Sequence, residues 1–477
     1  MDERKISLRL KVNTLLISKF LSDLREAIAG TDQDFTEMRL GRAIFLLSIP
    51  MILETMMESV FAITDIFFVS KLGPEAVATV GITESLITLI YAIGFGLATA
   101  ATSLVARRIG EKDYEGASVA AFQAILCGLM VSICIAIPGA LYARDLLDLM
   151  GASVKIVNEM YGYTAWMLGG NTVIMLLFII NAVFRSAGDA AIAMRVLWIG
   201  NLINIVLDPV LIFGIGPIPA FGVTGAAVAT NIGRGVAVLY QLYLLFMGGK
   251  RVQLKFRHLR PVPHVIVSLL RLSLGSIGQN IISTTSWVAL VRIIALFGSS
   301  VMAGYTIAIR IIIFAILPSW GLSNAASTLV GQNLGAGKPK RAERSVWLAG
   351  YVNMILLALI GLLLVVFSEF WIGLFISDHT VISMGSEGLR IISTGFIAYG
   401  FGMVMVNALN GAGDTVTPLK INFFCFWMLE IPLALLLSRF SGMEQTGVFL
   451  AIVIAESTMT LVAWLIFRKG KWKLKKI

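Results

Sequence analysis

The sequence predicts an all-α membrane protein with twelve transmembrane helices, arranged as two six-helix lobes. Three observations predict this fold: the composition, a long internal repeat and a series of apolar stretches. Hydrophobic residues make up 57% of the 477 residues and charged residues only 14%, whereas a soluble domain carries about 25% charged residues. The mean hydropathy is +0.87. These values exclude a soluble globular protein.

The chain repeats itself at a spacing of 225 residues. Segment 96–110 returns as 321–335 with seven identical residues, and the Ala-Gly-Asp triplet at 187–189 returns at 412–414, where we expect a turn. Because each copy holds an even number of spans, both copies cross the bilayer in the same direction. The lobes are therefore parallel repeats, related by a pseudo-two-fold axis along the membrane normal, an arrangement typical of transporters.

Apolar stretches long enough to cross a ~30 Å hydrocarbon core define the spans. The lobes they form cover residues 43–247 and 268–467. Residues 1–42 form a cytoplasmic segment that we expect to include an amphipathic helix on the membrane surface. A cytoplasmic linker, 248–267, joins the lobes, and a basic tail, 468–477, ends the chain. The twelve spans lie at 43–70, 77–105, 117–143, 158–185, 190–213, 222–247, 268–297, 301–331, 345–368, 382–408, 416–438 and 446–467.

The basic residues predict the orientation. Lys and Arg concentrate in the loops on one side and in the tail, and the other side holds only Lys71, Arg144, Lys155 and Arg439. Because cytoplasmic loops keep Lys and Arg, we expect both termini to be cytoplasmic. The net charge of +10 then reflects topology and attraction to anionic headgroups. No nucleic-acid partner is expected, because the sequence offers no basic folded domain.

Three acids occupy one face of the first span. Glu54, Glu58 and Asp65 lie within about 40° of one another around a helix. A charged side chain at the bilayer centre costs roughly 3 kcal/mol, so we expect this face to line a cavity. There Glu54 and Glu58 could contact a substrate or relay protons. The alternative is that the acids are ion-paired or protonated residues of the helix packing.

The fifth span has a polar face of its own. Asn201, Asn204 and Asp208 are spaced i, i+3 and i+7 and share one side of the helix. Pro209 removes a backbone hydrogen bond, which frees a carbonyl near Asp208 and permits a kink. We therefore add Asn201 to the cavity residues and treat Asn204 and Asp208 as binding residues.

Depth in the membrane brings residues of three spans together. Asp65, Asp208 and Thr230 all fall in the outer half of the first lobe, so we predict a coupling site made by Asp65, Asn204, Asp208 and Thr230. Oxygen ligands suit a hard cation such as sodium, and a pair of carboxylates suits a proton equally well. No other metal and no cofactor are expected. The alternative for Asn204 and Thr230 is a hydrogen bond between helices.

The second half does not copy these acids. Gln279 stands opposite Glu54, and Leu290 stands opposite Asp65. The second half has its own acids, Glu430 and Glu456, and with Gln279 they form a candidate second-lobe site. We infer that the first lobe couples to the ion and that the second contributes more of the packing or of the substrate wall. Three arginines within spans are expected to neutralise these acids, namely Arg234, Arg292 and Arg310.

Several segments together resemble the multidrug and toxic compound extrusion (MATE) family. They are residues 65–73, 105–110, 181–189, 207–209 and 330–336. The resemblance implies two lobes in a V shape and a prokaryotic transporter whose first lobe holds the cation site. The family positions match Asp65, Asn204, Asp208 and Thr230. Glu54 and Glu58 lie outside that pattern, and the acid that some relatives carry in span seven has no counterpart.

The function that this resemblance implies is secondary active efflux of organic, mostly cationic or amphipathic compounds, in exchange for sodium ions or protons. The expected partners are these small molecules and the lipid bilayer, the expected location is the cytoplasmic (inner) membrane of a prokaryote, and one chain should suffice. A related exporter or flippase of lipid-linked metabolites is the main alternative, although it would need a basic cavity. An enzyme such as a prenyl transferase is not expected, because the sequence has no DDxxD motif.

Overall fold

The computed structural model describes residues 18–31, 33–248, 251–475 and 477. In this part of the chain twelve long helical segments, numbered α1 to α12, lie at the positions of the predicted spans. The first six are α1 (Leu40–Ser70), α2 (Pro74–Gly110), α3 (Tyr114–Leu141), α4 (Ile156–Ala187), α5 (Ala190–Phe213) and α6 (Val223–Tyr243). The second six are α7 (Pro263–Phe297), α8 (Ser299–Gly335), α9 (Pro339–Val366), α10 (His379–Thr394 continued by Phe396–Gly411), α11 (Val416–Phe440) and α12 (Glu444–Arg468).

Ten of these segments are individually long and apolar enough to cross a membrane. The two halves of α10 make an eleventh if they are taken as one span, and they are bent by 53° at Gly395. The remaining helix, α6, is not among these ten, and it carries the polar residues Asn231, Arg234 and Gln241. The prediction of an all-helical membrane fold is confirmed, and the bend in α10 was not predicted.

The repeated Ala-Gly-Asp triplets are turns, as expected. Gly188 ends α4 with a φ of +90°, and Gly413 follows α10 with a φ of +84°. This left-handed conformation favours glycine because a Cβ clashes with the backbone there. Asp414 then accepts a hydrogen bond from the backbone nitrogen of Thr417 near the start of α11, at 3.4 Å.

The first helix of each lobe packs against the other lobe. α1 packs against α5 of its own lobe and against α8 of the other, and α7 packs against α2 in the matching way. Two glycines at equivalent positions of the repeat permit this approach: Gly96 lies against Ile277 of α7, and Gly321 lies against Ile52 of α1. The duplicated motif therefore marks the interface between the lobes.

The last glycines of that motif allow α2 and α8 to cross at close range. A Cβ on Gly110 would collide with the backbone carbonyl of Gln332, and a Cβ on Gly335 would collide with that of Arg107. Since these four positions are two equivalent pairs, the crossing is itself symmetric. It lies at the carboxyl ends of both helices, next to the basic loops that follow them.

Side chains at this crossing bind the neighbouring turns. The Arg107 guanidinium donates to the carbonyl oxygens of Ala412 and Lys475, at 3.3 and 3.0 Å. Gln332, its equivalent in the repeat, donates to the carbonyl of Ser186 at 2.8 Å. These contacts hold the two lobes together at the carboxyl ends of α2 and α8.

The described parts of both termini pack onto the same end of the molecule. A helix at residues 18–29 lies against the start of α1, where Asp23 and Glu26 pair with Arg42 at 3.1 and 2.5 Å. Residues 1–17, which include the rest of the predicted amphipathic helix, lie outside the described residues. In the tail, the ring of Trp472 is buried and stacks on Phe467 with 4.6 Å between centroids.

Candidate cation site

Three of the four predicted coupling residues form one hydrogen-bonded group in the first lobe. The Asn204 amide donates to Asp208 at 3.2 Å and to the Thr230 hydroxyl at 3.1 Å. All three side chains are buried. They meet because α5 and α6 approach closely at Gly200 and Gly233, where a side chain on either residue would meet the other helix.

Asp65, the fourth predicted coupling residue, lies on α1 and makes no hydrogen bond to this group among the described residues. It is only partly buried, and it interacts electrostatically with Asp208 of α5 and with Arg234 of α6. Three buried oxygens here receive no hydrogen bond from any described residue: Oδ1 of Asp65, Oδ1 of Asn204 and Oδ2 of Asp208. Buried acceptors without donors cost about 1–3 kcal/mol each, so this place favours a bound cation or proton.

Glu58 is paired with a buried arginine. Arg234 lies 3.3 Å from the Glu58 carboxylate, and its guanidinium lies over the Phe61 ring at 5.0 Å. Arg234 is one of the three arginines expected to neutralise acids within the spans, and it pairs with Glu58. Because Arg234 also interacts with Asp65, it is a fixed positive charge beside the candidate cation site.

Glu54 belongs to a different network, nearer the start of α1. Its carboxylate accepts from Arg185 at 2.6 Å and from Asn181 at 3.0 Å. Asn181 in turn accepts from Gln241 at 2.5 Å. These residues link α1, α4 and α6. Among the described residues, no hydrogen bond connects this network to Asp65.

Asn201 lies one turn of α5 before Asn204. It is buried, and its amide nitrogen makes no hydrogen bond to a described residue. It therefore extends the polar face of α5 by one turn from Asn204 toward the start of the helix.

The second-lobe candidates separate into two places. Glu430 and Glu456 line the same cavity, of about 390 Å³, and interact electrostatically with each other. Gln279 is not among the residues that line it. The Gln279 amide instead donates to Asn410 at 3.1 Å and to the carbonyl of Thr415 at 2.9 Å. Gln279 thus holds α7 to the turn between α10 and α11.

Two residues near the cation site were missed by sequence reasoning. Tyr163 of α4 is buried and interacts electrostatically with Asp65 and Asp208. Glu84 of α2 also interacts with Asp65. For Glu84 the acid within a span was a usable signal, whereas nothing in an isolated sequence distinguishes Tyr163 from other membrane tyrosines.

Comparison with known proteins agrees with the fold and the repeat. The MatE family model matches the chain twice, at residues 50–210 and 276–436. An FAD transporter of Shewanella oneidensis is 26% identical over 89% of this chain and 94% of its own length. A probable multidrug resistance protein of Bacillus subtilis is 24% identical over 91% of this chain and 95% of its own length.

Solved structures superpose over almost the whole chain. An outward-facing multidrug resistance MATE transporter of the MOP superfamily has 27% identity and a TM-score of 0.87, covering 93% of this chain and 98% of the other. A MOP superfamily transporter from Pyrococcus furiosus, described as having a binding pocket of reverse polarity, has 26% identity and a TM-score of 0.86, covering 93% of this chain and 98% of the other. Taken together with the two-lobed fold, these matches establish that the chain belongs to the MATE family of membrane transporters.

Proposed function

We propose that this protein exports organic compounds, mostly cationic or amphipathic, in exchange for sodium ions or protons. The observation that carries the proposal is the group of unsatisfied, buried oxygens at Asp65, Asn204 and Asp208. Carboxylate, amide and hydroxyl oxygens are the ligands that a hard cation prefers. The multidrug resistance named for relatives supports the direction and the substrate class.

The charges of the site suggest how exchange would work. A cation or proton that enters from outside offsets one of the two negative charges of Asp65 and Asp208 and binds the oxygens that lack hydrogen-bond donors. Arg234, fixed beside Asp65 by its pairing with Glu58, keeps the affinity of the site for cations moderate, because like charges repel. Moderate affinity allows the cation to leave on the cytoplasmic side.

The contact between the lobes where α2 and α8 cross must break for the protein to open inward. The lobes contact each other at the cytoplasmic crossing of α2 and α8, so opening inward requires that the hydrogen bonds of Arg107 and Gln332 break. Filling the cation site changes the packing of α1 against α5, and α1 also packs against α8. Through α1 the state of the cation site can thus influence the contact between the lobes.

The setting of this activity is part of the proposal. We place the protein in the cytoplasmic membrane of a prokaryote with both termini inside, on the basis of the basic loops. A single chain carries both lobes, so a monomer suffices for alternating access. The chain acts without a prosthetic group.

Transport by reconstituted vesicles tests the proposal. Ethidium, a fluorescent organic cation, is followed while an inward sodium gradient or an inward proton gradient is imposed separately. We expect one of the two gradients to drive ethidium out and the absence of both to stop it. FAD serves as the anionic comparison, because one relative is an FAD transporter. Driven export of FAD with no export of ethidium would contradict the proposed substrate class.

A further inference from the structure

The cavity of the second lobe is built like a site for a small organic molecule. All of its lining residues belong to α7, α8, α10, α11 and α12, so it is separate from the cation site. Its wall is mostly apolar and includes the aromatic rings of Trp287, Phe396 and Tyr399. The volume of about 390 Å³ falls within the range of roughly 300–1,000 Å³ that small-molecule sites occupy. An ion or a water needs a far smaller space.

The cavity contains two acids and no fixed positive charge. Glu430 is 5% exposed, and its carboxylate accepts a hydrogen bond from Ser286 at 2.7 Å. Glu456, on α12, lies within electrostatic range of Glu430. None of the described residues that line the cavity is Lys, Arg or His. Burying carboxylates without a counter-charge costs several kcal/mol for each ion, so the pair requires protons or a cationic ligand.

A further polar group points to a ligand. Asn422 lines the cavity and is 7% exposed, and its carbonyl oxygen receives no hydrogen bond from any described residue. One oxygen of Glu456 is buried and unsatisfied in the same way. Acceptors without donors, held in an apolar aromatic enclosure, match a ligand that has a positive charge, N–H donors and an apolar body.

The acids are particular to this lobe. The residues that stand 225 positions before Glu430 and Glu456 are Ile205 and Asn231. The scaffold of the first lobe therefore forms without acids at these two places. A role in binding accounts for their presence in the second lobe better than a requirement of the fold does.

We propose that this cavity binds the organic cation that the protein exports, with Glu430 and Glu456 holding the charge and the aromatic wall holding a flat ring system. The inference rests on the proposed function, since it assigns the substrate to the second lobe while the coupling cation binds in the first. Trp287 and Tyr399 are the rings expected to contact the ligand.

Equilibrium binding of ethidium to the purified, full-length protein in detergent tests the assignment. We expect Glu430→Gln and Glu456→Gln each to raise the dissociation constant at least tenfold. The matched control is Glu369→Gln, since Glu369 is an exposed acid outside the cavity that pairs with Arg390, and it should change binding less than twofold.

Two results would overturn the inference: wild-type protein that binds no ethidium, or a Glu430→Gln/Glu456→Gln double variant that binds it normally. If a glutamine variant fails to fold, Trp287→Phe provides a second readout. Bound ethidium should quench tryptophan fluorescence less in that variant than in the wild type, and equal quenching counts against the site. Failure of the coupling scheme would look different: binding would depend on Glu456 while efflux ignored Asp208.

Discussion

At one pair of equivalent positions in the repeat, the first lobe has an ionic pair and the second lobe has a neutral pair. Glu54 and Arg185 form a buried salt bridge of 2.6 Å in the first lobe. The residues 225 positions later are Gln279 and Asn410, whose amides bind each other twice, both at 3.1 Å. The same backbone positions therefore join equivalent helices with charges in one lobe and with amides in the other. We predict that the double substitution Glu54→Gln/Arg185→Asn is tolerated far better than either single one.

The expected magnitudes follow from burial. The Glu54 and Arg185 side chains are 8% and 18% exposed, so removing Arg185 alone leaves a buried carboxylate with Asn181 as its remaining described donor. Breaking a buried pair in this way costs about 3–5 kcal/mol. In the double variant the two amides can bind each other as they do in the second lobe. We expect its free energy of unfolding to lie within about 2 kcal/mol of the wild type. If each single variant loses about 3–5 kcal/mol, the coupling energy is then at least about 4 kcal/mol.

Unfolding of the purified protein in mixed micelles measures this cycle. The control is the pair of Arg108 and Glu111, 2.9 Å apart with side chains 38% and 36% exposed. Because surface pairs contribute about 0–1 kcal/mol, the same cycle on that pair should show little coupling. If the losses of the two single variants simply add in the Glu54→Gln/Arg185→Asn double variant, the two side chains do not stabilise each other and the prediction is wrong.

Two further predictions concern the crossing of the lobes and the fixed charge. Gly110→Leu should push α2 from α8 and increase the distance between spin labels at positions 112 and 337 in a cysteine-free background; an unchanged distance would contradict the proposed closure. Arg234→Met should remove the positive charge beside Asp65 and lower the half-saturating concentration of the coupling cation severalfold in vesicle efflux, whereas an unchanged value would show that Arg234 does not tune the site.

The fold was predictable because its signals are local. A transmembrane helix can be recognised from its length and hydropathy alone. The repeat spacing of 225 residues in turn predicts two parallel lobes without any knowledge of contacts. The bend of α10 was not predictable, since Gly395 is one glycine among many within apolar segments. Its effect depends on how the two halves pack against α8, α9 and α12.

The candidate site was partly predictable for the same reason. Asn204 and Asp208 share a helix face, and their depth matched that of Thr230, so the hydrogen-bonded group could be anticipated. The repeat predicts that Gln279 lies with the second-lobe acids, because it stands opposite Glu54. Its hydrogen bonds to Asn410 depend on how α7 packs against the end of α10, which the sequence does not reveal. Cavity walls formed by five helices likewise depend on helix rotations that no single segment encodes.

The central claim is that the first-lobe oxygens bind the coupling cation. Ethidium efflux from vesicles, driven by whichever gradient supports transport in the wild type, tests it when Asp208→Asn is compared with the exposed control Asp148→Asn. We expect Asp208→Asn to fold, insert and bind ethidium but to lose gradient-driven efflux, while Asp148→Asn, an exposed acid, transports normally. Full gradient-driven efflux by Asp208→Asn would show that the first-lobe oxygens do not bind the coupling cation.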